Sequence, residues 1–131
     1  MVKLLFDAED CIVGIIFSLL IIALSGKWFK IPYVWNLLLI VIPILAVFII
    51  FDLISEFADL GRHFLFIGLS ILHNIFDLIL GVGFYALYFK LQIPLISFIV
   101  PYLSNNTFLF WLGAVEVVIH IVWIVLTPFN Q

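Results

Sequence analysis

Long apolar stretches, parted by short polar clusters, run the length of this chain. Residues 12–24 are apolar apart from Gly14 and Ser18, and residues 37–51 are apolar apart from Pro43. Neither run alternates. A membrane-spanning strand shows segments of about 10 residues that alternate apolar and polar, whereas a spanning helix needs about 20 predominantly apolar residues. The pattern predicts four transmembrane helices, over residues 10–28, 32–56, 63–90 and 107–127. Asp10 is placed to cap the first, and Ser25-Gly26-Lys27 to end it. Pro43 predicts a kink in the second, Asn105-Asn106-Thr107 a cap for the fourth, and Pro128 its end. Residues 91–103 are apolar but too short to cross, and Pro94 and Pro101 break them. They are expected at the interface or in a shallow re-entrant segment between the third and fourth helices. The expected fold is an all-α integral membrane protein, one domain over residues 1–131, built as a four-transmembrane-helix bundle.

Composition agrees with this pattern. Hydrophobic residues make up 67% and charged residues 10%, against about 45–50% and about 25% in soluble domains. The net charge of -3 comes with no basic patch, which excludes nucleic acid as a partner. A single cysteine, Cys11, excludes an internal disulfide and a cysteine-only metal site. Asp7, Glu9 and Asp10 precede the first apolar run, and no Ala-x-Ala follows it, so targeting by the first helix is expected rather than by a cleaved signal. The expected location is the cell membrane, as a multi-pass protein. Lys3 and Arg62 fall on the side of the termini, and Lys27, Lys30 and Lys90 on the other, a balance too even to set the orientation. Trp28, Tyr33, Trp35, Tyr85, Tyr88 and Tyr102 form an aromatic belt on the lysine-rich side.

A membrane protein is most informative at its ionisable residues. A carboxylate at the centre of a spanning helix costs about 2.5–3.5 kcal/mol on insertion scales, and such residues usually serve function. The third helix carries His73, Asn74 and Asp77, and the fourth carries Glu116 and His120. His73 and Asp77 are four residues apart, as are Glu116 and His120, so each pair shares a helix face. Asp77 and Glu116 fall near the midpoints of antiparallel spans, with both histidines about one turn away at a common height. The two faces are expected to form a cluster of two histidines and two carboxylates inside the membrane. Asp52, Glu56, Asp59 and His63 form a second polar series, with Glu56, Asp59 and His63 expected at the surface and Asp52 deeper. On the first helix, Gly14 and Ser18 lie in a stripe of small residues suited to close helix packing.

Imidazole and carboxylate together suit a transition metal such as Cu, Fe or Zn. The Glu-x-x-His signature of di-iron bundles is not matched. Asp/Glu/His chains also build proton relays. Haem is a weaker reading of His73 and His120, since Arg62 is the only arginine to pair with a propionate. Interhelical pairing with no further role is the structural alternative. Asp59-x-x-x-His63 followed by His73 resembles the Asp-x-x-x-His and later His of the copper site in the C subunit of particulate methane and ammonia monooxygenases. The second gap is shorter here, and the rest of the chain has no further feature of that family; the resemblance implies copper. No Gly-x-Ser-x-Gly, P-loop or Gly-x-Gly-x-x-Gly is present, and the sequence leaves open whether the chain is an enzyme. The expected function is a small integral membrane subunit of a larger membrane oxidoreductase or energy-converting complex. Its partners would be the lipid bilayer and other membrane subunits or further copies of itself. The alternatives are a small oligomeric proton or cation transporter or channel, and a purely structural subunit.

Overall fold

A computed structural model of the chain describes residues 2–58 and 64–126. Among them there is no strand. The helices are α1 (Val2–Ser25), α2 (Val34–Ala58), α3 (Phe64–Phe89), the four-residue α4 (Val100–Leu103) and α5 (Asn106–Leu126). Three segments, Val34–Ala58, Ile67–Phe89 and Asn106–Val125, are long and apolar enough to cross a membrane, while the apolar part of α1, Ile12–Ser25, is shorter.

Helix ends follow local chemistry. Asp10 does not cap α1, which begins at Val2, because residues 2–10 contain no glycine or proline to stop a helix. At the other end Gly26 takes φ 68° and its N–H returns to the Ala23 carbonyl, so α1 stops at Ser25 rather than Trp28. The α2 helix starts two residues after Pro32, with Tyr33 at φ 59° and its carbonyl accepting from Leu37 N–H. Asn105 caps α5: its Oδ1 accepts the Phe108 N–H at 3.1 Å.

Pro43 lies inside α2, and the helix runs through it unbroken. A proline cannot donate to the carbonyl four residues earlier, which here is Leu39. The Tyr85 hydroxyl of α3 supplies the missing donor at 2.5 Å. A residue expected in the aromatic belt therefore repairs a helix backbone instead.

Contacts run α5 to α1, α1 to α2 and α2 to α3. Gly14 of α1 faces His120 of α5, and Gly113 of α5 faces Ser18 and Ile22 of α1, which makes these two helices antiparallel. Asn74 meets Asp52 and Glu56, and Gly81 meets Ile42, so α2 and α3 are antiparallel as well. The ring of helices stays open on one side. Among the described residues, no α-carbon of α3 lies within 8 Å of one of α5; their direct contacts are between side chains, and α4 packs against both. Phe17 and Phe84, both fully buried, meet edge to face at 6.0 Å in the core. The segment expected at the interface carries α4, whose Leu103 is buried with Ile99 against Gly83 of α3, while Leu95 and Phe98 face outward.

The distribution of polarity is inverted relative to a soluble protein. Ser18, Asp52, Glu56, Asn74, Asp77, Glu116 and His120 are buried, and Ile40, Val47, Ile54, Leu65, Leu72 and Val118 are at least half exposed. Apolar surface on this scale calls for lipid or partner helices to cover it.

Candidate functional site

The i, i+4 pairs on α3 and α5 meet at mid-height. His73 Nε2 lies 3.0 Å from Glu116 Oε2 and 3.5 Å from Asp77 Oδ2. His120 Nε2 lies 3.3 Å from Asp77 Oδ2. The two imidazole centroids stand 4.8 Å apart. Each histidine thus meets the carboxylate of the opposite helix at least as closely as that of its own. One ligand atom from each of the four residues lies within 4.8 Å of the other three.

The tautomer of His120 follows from its neighbours. Its Nδ1 is 2.7 Å from the Glu116 backbone carbonyl, which can only accept, so Nδ1 carries the proton. In the neutral ring Nε2 then presents a lone pair toward Asp77. A backbone carbonyl holding Nδ1–H is the usual way a metal-ligating histidine is oriented. The ring is also fixed from behind, because the α-carbon of Gly14 sits so close that a Cβ there would collide with Nε2, Cδ2 and Cε1. Helix α1, expected only to pack, therefore forms a wall of the site. Ser18 is fully buried and donates to the Gly14 carbonyl at 2.7 Å, and its own carbonyl lies against Gly113. Small residues on both helices bring α1 and α5 close enough to seat the ring.

A tetrahedral ion with bonds of about 2.0–2.1 Å holds its ligand atoms about 3.3–3.4 Å apart. Three pairs in the cluster, at 3.0, 3.3 and 3.5 Å, stand close to that spacing, and all four atoms lie within 4.8 Å of one another. The group His73, Asp77, Glu116 and His120 can therefore bind a metal ion.

The second polar series is only partly described. Asp59 and His63 lie outside the described residues, and with them two of the three residues that carry the copper-site resemblance. Asp52 and Glu56 are buried, which corrects the expectation that Glu56 lies at the surface. The cause is α3. Asn74 Nδ2 donates to Asp52 Oδ2 at 2.9 Å and to Glu56 Oε1 at 2.6 Å. Asn74 is not among the expected site residues, and it lies off the face that His73 and Asp77 share. Its place one residue after His73, turned about 100° around the helix, was the signal that it serves a different neighbour.

Two apolar grooves flank the histidine–carboxylate cluster. One, between α2 and α3, reaches Asp77; the other, between α3 and α5, reaches His73 and Glu116. No protein-family model, curated protein or solved structure matches this chain, which leaves these side chains as the guide to its chemistry.

Proposed function

We propose that the chain is a small integral membrane subunit that binds a divalent transition metal between α3 and α5, through His73, Asp77, Glu116 and His120. The observation that carries this reading is the approach of four ligand atoms to within 4.8 Å in a buried site. Charge supports it too. Two carboxylates inside a bilayer need two positive charges beside them, and a divalent ion with two neutral imidazoles leaves the centre with no net charge. In this reading α1 is a fourth span, packed along α5, and the chain crosses the cell membrane four times. Its exposed apolar faces suit a place inside a larger redox or energy-converting assembly, or an assembly of its own copies. Iron, zinc and copper all fit the donor set.

Metal analysis of the detergent-purified protein tests the proposal. One equivalent of metal is expected in the wild type, with marked loss in His73→Ala and His120→Ala. Absence of metal from the purified protein, and failure to take any up on titration, would overturn it.

A second reading, proton or cation passage, is favoured by the burial of Asp52 and Glu56 on Asn74, one helical turn from Asp77. It predicts proton flux in liposomes that is lost in Asp77→Asn; an equal flux in that variant removes it.

A further inference from the structure

The groove between α3 and α5 exists because those helices meet only through side chains. This open groove offers about 460 Å³, within the about 300–1,000 Å³ range of small-molecule sites. Its walls are apolar: Leu72 and Phe76 from α3, and Phe108, Trp111 and Val115 among others from α5. Its polar lining consists of His73 and Glu116, two members of the metal-binding quartet. His73 is also the least covered member, its side chain 9% exposed against 1% for Asp77 and Glu116 and 3% for His120. The quartet is therefore most open at the groove, on the side left open between α3 and α5.

The chemistry of the floor selects the visitor. The described groove has no lysine or arginine in its lining, so an anionic head would meet carboxylate without a cation to hold it. A cationic head would have to shed its water inside apolar walls. We infer that the groove admits a bilayer-dissolved molecule with a single apolar chain and a neutral oxygen- or nitrogen-donor head, the chain lying along Phe108 and Trp111 and the head reaching the centre beside His73. This deepens the metal-site reading and rests on it. It assigns the site a lipophilic substrate or ligand that arrives sideways from the membrane rather than from water.

The experiment uses the full chain in detergent micelles, loaded with cobalt(II), whose visible d–d bands report the ligands around it. 1-Decylimidazole at mildly alkaline pH is the neutral-headed probe, and 1-methylimidazole is the chainless control. Val115→Trp and Leu72→Trp narrow the groove from opposite walls while leaving all four ligands in place. The expected result is a saturable change of the wild-type bands by decylimidazole, with half-saturation raised at least about tenfold in a narrowed variant that retains the unliganded cobalt spectrum. The same micelles surround every variant, so partitioning of the probe into detergent cannot produce that difference. Cobalt bands that decylimidazole leaves unchanged, or changes equally in wild type and narrowed variants, overturn the lateral route while leaving the metal site standing. Failure of the wild type to develop cobalt bands at all overturns the metal site, and the route with it.

Discussion

Replacing Gly14 by alanine adds one methyl group to α1, a helix that carries none of the four ligands, at a point in contact with His120. The His120 Cε1 lies 2.9 Å from where that methyl would sit, its Nε2 and Cδ2 are nearer still, and ordinary contact begins at 3.4 Å. The ring must retreat by about 1 Å to restore normal separation. It has little freedom to do so: Nδ1 is bonded to the Glu116 carbonyl at 2.7 Å, Nε2 faces Asp77 at 3.3 Å, and the His73 ring stands across from it. Overpacking of this kind costs about 1–3 kcal/mol. Displacing a ligand through its supporting groups lowers metal affinity by about 10- to 100-fold. The assay is cobalt(II) binding in competition with a chelator, read beside thermal unfolding in the same detergent. Gly68→Ala is the control, since nothing lies within 4 Å of its added methyl, and it should bind cobalt like the wild type with stability equal or raised by about 0.5–1 kcal/mol. Wild-type cobalt affinity in a folded Gly14→Ala protein would refute the idea that α1 seats His120.

Three further outcomes follow from other contacts. Tyr85→Phe removes the donor that serves the Leu39 carbonyl and should cost about 0.5–1.5 kcal/mol; in a Pro43→Ala background, where a backbone N–H is restored, the same change should cost less, as a double-mutant unfolding cycle would read. Asn74→Leu withdraws the amide shared by Asp52 and Glu56 and should destabilise the fold by at least about 1–3 kcal/mol in denaturant titrations, with cobalt still bound by the molecules that fold. Asn105→Ala removes the cap of α5 and should cost about 1 kcal/mol, with Asn105→Asp close to wild type in thermal unfolding.

The sequence exposes the cluster because the membrane makes ionisable residues rare. Once α3 and α5 are read as helices, four-residue spacing places His73 with Asp77 and Glu116 with His120, and the midpoints of the two helices bring the pairs level. Spacing along one helix does not say which neighbour each face meets. Asn74 follows His73 directly, yet it serves Asp52 and Glu56 on α2, which is why Glu56 is buried where a solvated charge was expected. The contact of Gly14 with His120 depends on α1 lying beside α5, helices at opposite ends of the chain, and a stripe of small residues indicates close packing without naming its partner. Tyr85 was equally hidden, because its use arises from a vacancy that Pro43 creates on another helix. A favourable cap at Asp10 does not oblige α1 to begin there, because residues 2–9 hold no glycine or proline to stop a helix.

X-ray absorption at the edge of the bound metal tests the intramembrane centre most directly. The expected first shell is two imidazole nitrogens and two carboxylate oxygens at about 2.0–2.1 Å, with the outer-shell scattering of one imidazole lost in His73→Ala and again in His120→Ala. A metal bound without imidazole, or bound unchanged in both variants, would contradict it.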